Sequence, residues 1–436
     1  MHSLKRALAA VMTSAALAAA SVMPAHAAAP ASAPASHGTA VLANHDLGTL
    51  QTASVTSRAV QTEEPMRIAT YNASLFREAP GALIADLSSR NNSQAQAVAE
   101  IIQRSAPDVL LVNEFDYDAE QEAATLFRDN YLTVSQNGQK ALEYPYIYTA
   151  PSNTGVPTGA DLNGDGTIGG PDDAFGYGAF EGQYGMVLYS KYPIDVDSVR
   201  TFQNFRWADM PGNVMPRDYY GELTSNVLRL SSKSHWDVPI RIGDRTVHVL
   251  AAHPTPPSFD GEEQRNARRN HDEIRFLADY VAGGETASYI YDDAGAAGGL
   301  ADGEDFVIVG DMNADPQRGD SYDSAIMQLL DSEQITDPQP RARGAIMSNQ
   351  DVFNSLLGRA TNNSSGDNSN ALRTADFGGS TGSLRVDYVL PSTSMDVTNS
   401  GVFWPAPNQP GAELIQMNPV RSSDHRLVWA DVSTGE

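Results

Sequence analysis

The chain has 436 residues, no cysteine, 54 acidic against 29 basic side chains, and a formal net charge of −25. Disulfide stapling is excluded, so stability must come from a large core, with bound metal as the available supplement. So acidic a surface repels polyanions at long range, which weighs against a nucleic-acid partner without forbidding one.

Taken from the start, Lys5 and Arg6 precede an Ala-rich apolar run from Ala7 to Met23, followed by Ala25-His26-Ala27, a small-x-small pattern. This predicts a cleaved signal peptide over residues 1–27 and a secreted product, extracellular or periplasmic. Loss of Lys5 and Arg6 moves the formal charge from −25 to −27. No other stretch approaches the ~20 apolar residues of a spanning helix, so no stable membrane insertion is expected. Residues 28–64 are rich in Ala, Pro, Ser and Thr and read as a disordered linker. Residues 65–436 read as one large α/β domain, expected as a monomer, with an insertion at about 150–183.

Within that domain, strand-like runs repeatedly end in a polar residue. "MRIATYNAS" supplies Asn72, "PDVLLVNEFD" Glu114, "RTVHVLAAHP" His253 and "VIVGDMNADP" both Asp311 and Asn313. "LRVDYVLPS" carries Asp387, and "RSSDHRLVWADV" places Asp424 and His425 before a closing strand. Gly310 is expected to turn the chain at the end of its strand, and Asp311 and Asn313, two apart, to face one small target. The alternative for that pair is a turn using Asp and Asn for local hydrogen bonds. The set as a whole is the inventory for an oxygen-ligated divalent cation and a bound phosphate. Helical spacing over 93–107 and 262–282 predicts two amphipathic helices, the first stopped by Pro107. Gly, Asp, Asn and Ser enrichment over 283–305 and 360–383 predicts surface insertions.

In order, Asn72, Glu114, "QYGMVLYSKYPI" (183–194), His253, "GDMNADP", "VDYVL" and "SSDHR" resemble the motifs of the endonuclease/exonuclease/phosphatase superfamily of metal-dependent phosphoesterases. That resemblance implies a four-layer α/β/β/α sandwich, two mixed β-sheets face to face with helices outside. It implies Glu114 as ligand of a catalytic Mg²⁺ or Mn²⁺ with Asn72 beside it, and Asp311 and Asn313 on the attacking water and the phosphate. Asp387 and Asp424 would orient histidines or complete the metal shell. His425 would contact phosphoryl oxygens or act as base, and His253 would bind phosphate or protonate the leaving group. Tyr184 is a further candidate for the site, or else a half-buried strand aromatic. Asp424 adjoins His425, but neighbours on a strand point apart, so Asp387 is the alternative carboxylate for His425.

"DLNGDGTIGGPD" (161–172) has the spacing of a calcium loop: Asp161, Asn163 and Asp165 at positions 1, 3 and 5, Gly166 at 6, the Thr167 carbonyl at 7 and Asp172 at 12. A structural Ca²⁺ is expected there. The leading reading is a secreted phosphatase or phosphodiesterase using water activated by metal, Asp and His. The alternatives are an extracellular nuclease on DNA or RNA, with arginines at 265, 268, 269 and 275 as a candidate basic face, a sphingomyelinase-like lipid phosphodiesterase using Phe403 and Trp404, or a non-catalytic calcium-stabilised binding protein.

Overall fold

The computed structural model describes residues 65–346, 368–379 and 381–434. The expected leader and linker over 1–64 lie outside them. Among the described residues thirteen strands run in chain order: β1 (Met66–Leu75), β2 (Val109–Phe115), β3 (Tyr146–Tyr148), β4 (Met186–Ser190), β5 (Arg200–Thr201), β6 (Trp236–Ile242), β7 (Arg245–Ala252), β8 (Asp305–Asp311), β9 (Ala375–Asp376), β10 (Ser383–Leu384), β11 (Asp387–Pro391), β12 (Met395–Val402) and β13 (Val428–Thr434). They form a six-stranded sheet, order β12-β13-β1-β2-β4-β3, a five-stranded sheet, order β11-β8-β7-β6-β5, and the hairpin β9–β10.

Each large sheet has a parallel pair at its heart, β1 with β2 and β7 with β8, flanked by antiparallel neighbours. The alternation of side chains along β8 shows why two sheets stack. Val307 and Val309 join one apolar cluster with Ile68, Leu110 and Val249, whereas Phe306 and Ile308 join a second with Ile274 and Leu277. The first cluster fills the space between the sheets and the second lies beneath the helix Arg265–Ala282. On the far side, the helix Ser93–Ser105 buries Val98, Ile101 and Ile102 against the six-stranded sheet. The result is the four-layer sandwich expected from the sequence.

Both predicted helices are present with shifted ends. Asn92 caps the first by accepting from Ala95 N at 3.0 Å, and it stops at Ser105, with the single residue Ala106 in left-handed backbone before Pro107. The second begins at Arg265 rather than 262, because Asp260 takes the amides of Asn266 and Ala267, each at 2.9 Å, and fixes the helix start there. Residues 283–305 are not a bare surface insertion, since Ala287, Ile290 and Leu300 are buried in the second cluster. Likewise β9–β10, within the stretch expected as surface, holds the chain beside His425: Arg426 N donates to Thr374 O at 2.7 Å and Asp376 N to Asp424 O at 2.8 Å. Gly310 does not turn the chain. It sits inside β8, where a Cβ would lie 1.9 Å from the Ala252 carbonyl oxygen, so glycine is required for the close approach of β7.

Candidate active site

The topology explains why scattered polar residues meet. Parallel strands end, and their antiparallel partners begin, at the same edge of a sheet. Asn72, Glu114 and Asp311 lie at the C-terminal ends of β1, β2 and β8, and His253 follows β7 directly. Asp387 is the first residue of β11 and the register partner of Asp311, while His425 stands shortly before β13.

Asp311 is the hub. Its Oδ2 accepts the Asn72 carboxamide N–H at 3.0 Å and lies 3.5 Å from His253 Nε2 and 3.7 Å from His425 Nε2. The Asp387 carboxylate holds His425 Nδ1 at 3.0 and 3.2 Å, which settles the question of its partner in favour of Asp387 over Asp424. All five side chains are buried. Burial pushes the Asp311 carboxyl up to about 7, helped by the charge of Asp387 and opposed by His425. For His425 burial works downward, yet Asp387 and Asp311 outweigh it and hold the imidazole well above the usual histidine range. His253 goes the other way: burial, then the charges of Lys233 and His425, push it well below the usual histidine range, and among the described residues its Nδ1 has no partner. Two histidines on one carboxylate are therefore driven to opposite protonation states.

Glu114 and Asp424 line the same pocket, as do Tyr184, Asn313 and Asp311. Burial raises the Glu114 carboxyl above its ordinary value, against the pull of His425 and a hydrogen bond from Asn72. Among the described residues Glu114 has no ion pair. A half-buried carboxylate without an ion pair, beside a carboxamide, is a donor set suited to a hard divalent cation, which would reverse the effect of burial on its protonation. Ligand atoms of Asp311, Asp387 and His425 also lie within 4.8 Å of one another, close enough to share an ion.

Asn313 adopts left-handed backbone and works in two ways: its N–H closes a local turn on Asp311 Oδ1 at 2.9 Å, and its Nδ2 donates to Pro254 O at 3.1 Å. The local-turn reading of that pair thus holds, and Asn313 does not extend the strand. Tyr184 is in a turn ahead of β4, not on a strand, with φ of 56° and its amide 3.3 Å from Asp116 Oδ1. Burial lifts its phenol to about 12, so it stays protonated.

The sequence did not flag the helix Arg265–Ala282 as a support for these loops. Glu273, fully buried, accepts Ser232 N and Thr255 N, each at 2.6 Å. Asn270, one turn earlier, donates to Thr255 O and Met312 O, each at 2.9 Å, and so ties the loop after His253 to the loop after Asp311. The available signal was polar residues on the apolar face of an amphipathic helix. Lys233 is buried nearby, its charge felt by Glu114, Asp311 and Glu273.

In the loop over 161–172, Asp161 accepts the amides of Gly164 and Gly166 at 2.7 and 2.8 Å, and Asp165 accepts Thr167 N at 2.8 Å. Asn163 Oδ1 takes Asp165 N at 3.0 Å. Asp172 is exposed, and its buried neighbour Asp173 takes Leu162 N and Gly169 N at 2.6 and 2.8 Å. The lipid-facing candidate Trp404 is buried beneath Arg426, 4.6 Å from ring centroid to guanidinium. Nor do the helix arginines form a free basic face: Arg269 donates to Leu230, Phe175 and Arg229 carbonyls, and Arg265 and Arg275 pair with Glu263 and Asp279.

Comparison with protein families gives a match over residues 69–425 to the model of the Endonuclease/Exonuclease/phosphatase family. The chain belongs to this family. Its members are hydrolases of phosphoester bonds that depend on divalent metal, and the buried Asp311–Asp387–His425 group accords with that dependence. Similar solved structures include an endonuclease/exonuclease/phosphatase from Beutenbergia cavernae, with 16% identity, 85% of this chain and 72% of that one covered, and a TM-score of 0.46. Sphingomyelinase C from Streptomyces griseocarneus shares 16% identity over 84% of this chain and 99% of its own, TM-score 0.40. Truncated TDP2 from Caenorhabditis elegans shares 15% over 84% and 96%, TM-score 0.39. No curated protein matches the chain.

Proposed function

We propose that the protein is an exported phosphatase or phosphodiesterase for small phosphoesters, in which Asp311 positions and deprotonates the attacking water. The observation that carries this reading is the Asp311 carboxylate shared by Asn72, His253 and His425, with His425 backed by Asp387. A carboxyl near neutrality can take a proton from water and pass it on. His425, cationic and held by Asp387, donates toward phosphoryl oxygens as negative charge grows on them. His253, neutral, has its Nε2 3.5 Å from Asp311 Oδ2 and can offer its one N–H to the same region. Glu114 with Asn72 and Asp424 would hold Mg²⁺ or Mn²⁺, which when bound neutralises charge on the phosphoryl oxygens.

Export rests on the leader pattern over residues 1–27, and a structural Ca²⁺ on the spacing of Asp161, Asn163, Asp165 and Thr167. The nuclease reading is weakened by arginines engaged within the protein and by the charge of −25. The test is turnover of bis(p-nitrophenyl) phosphate, p-nitrophenyl phosphate and plasmid DNA with Mg²⁺, Mn²⁺ or Ca²⁺, by the parent and Asp311→Asn. Loss of at least ~10²-fold in kcat for a p-nitrophenyl ester is expected. Parent-like turnover by Asp311→Asn, or cleavage of DNA alone, refutes the reading.

A further inference from the structure

The pocket over Glu114, Asp311 and His425 has a volume of about 630 Å³, the scale of a site for one small molecule. Its floor is acidic and polar, but its walls are aromatic. On one side Phe76 and Tyr184 pack with centroids 4.5 Å apart, and Tyr177, more than half exposed, lies 6.3 Å behind Tyr184. Phe377 stands edge-on to the His425 ring at 5.3 Å and 81°. Phe259, on the loop after His253, lines the same pocket while 91% exposed. Its φ of 64° places a bulky side chain in left-handed backbone, a costly conformation for so exposed a residue.

One exposed phenylalanine needs no explanation. Aromatic rings on several walls of a pocket whose floor carries the phosphoester chemistry do. The charge pattern narrows what they receive: among the described residues Arg318 is the only Lys or Arg lining the pocket, against Glu114, Asp311, Asp315, Asp320 and Asp424. A ligand with phosphates in series would set its second charge against carboxylates. A ligand with one phosphorus meets the hydrogen-bond donors of the floor and leaves the walls to an uncharged group. Flat aromatic surfaces favour offset or edge-on contact with another flat ring.

We propose that the pocket selects phosphoesters with a single phosphorus and an aromatic ester group, the ring of which packs against Phe259 and Phe377. This rests on the reading of the site as a phosphoesterase. The test is calorimetric binding of phenylphosphonate and methylphosphonate to the full mature protein with Mg²⁺, alongside turnover of p-nitrophenyl esters. Phenylphosphonate should bind at least ~10-fold more tightly, the worth of one good ring contact. Phe259→Ala and Phe377→Ala should each cut that preference severalfold. Equal binding of the two phosphonates, or a preference that survives both substitutions, overturns the proposal. So does oligo-dT binding more tightly than phenylphosphonate, or Phe259-dependent sedimentation with phosphatidylcholine vesicles, because the rings would then serve a strand or a lipid surface. A preference for the phenyl compound in a protein that hydrolyses no ester supports the subsite and refutes the hydrolytic reading alone.

Discussion

Glu273→Gln tests whether the helix Arg265–Ala282 sets the geometry of the catalytic loops. The two Glu273 oxygens accept one amide each, Ser232 N and Thr255 N, at 2.6 Å in a fully buried setting. Glutamine has the same shape but one acceptor, so its NH₂ must face one of those N–H groups. A buried amide left without a partner costs about 1–3 kcal/mol. For a folded unit of about 370 residues the unfolding entropy is about 0.8 kcal/mol/K, so Tm should fall by about 1–4 °C. Thr255 is two residues beyond His253, and Asn270 joins its carbonyl to that of Met312, next to Asp311. A shift of the loop therefore moves His253 against Asp311, and kcat should fall about 10–100-fold with KM within threefold of the parent. Differential scanning calorimetry and steady-state turnover on one p-nitrophenyl ester measure both. A lower Tm with parent kcat would make the clamp purely structural, and no change in either would refute the argument.

Asp387→Asn should lower kcat by about 10²-fold or more, because it removes the carboxylate that fixes the His425 ring at 3.0 Å; kcat within twofold of the parent would return Asp387 to a packing role. His248 gives a pH test away from the site. Burial pulls it down, but Asp237 at 2.6 Å, with Glu304 at 3.8 Å, raises it above its usual value. A raised folded value means that the contribution is complete below about pH 6.5 and is lost as the pH rises through the folded value. The stability gap between parent and His248→Gln, read by urea titration, should narrow from pH 6 to pH 9; a gap that widens refutes the assignment. Ca²⁺ at 100 times its dissociation constant should add about 2.7 kcal/mol to a structural site. Asp165→Ala should abolish that calcium-dependent rise in Tm while keeping turnover with Mg²⁺, and a calcium-independent parent Tm would remove the site.

The layers and most of the site were legible because they depend on local pattern. A β-branched run such as Val307 to Val309 reads as a covered strand wherever it falls, and the polar residue after it is marked by contrast. What pattern cannot convey is which polar residues share a partner. Asp387 meets Asp311 through antiparallel register, and the separation of 76 residues between them carries no trace of it. The same limit applies to the loop over 161–172, where spacing nominated Asp172 and could not convey that the buried neighbour Asp173 folds over the loop, helped by the 3₁₀ turn at Pro171–Asp173. Arginine-rich spacing on the long helix suggested a basic face, and only the packing shows Arg269 turned inward to three carbonyls.

One property of the site was invisible in composition altogether. Ser74, Glu114, Tyr184 and Asn313 all have φ between 49° and 56°, and all four line the pocket. A side chain other than glycine in that region costs of order 1–3 kcal/mol. Glycine would relieve the strain at each place, yet the chain keeps a carboxylate, a phenol, a hydroxyl and a carboxamide there. Three of them follow directly from the layout: Ser74 is in the bulged end of β1, Glu114 is near the end of β2, and Asn313 is two residues beyond β8. Left-handed backbone at a strand end swings the side chain out of the alternation that would bury it between layers or send it to solvent. The strain is thus the means by which strand ends from both sheets direct polar groups into one pocket, and the large apolar core between the sheets is what keeps those backbones in place.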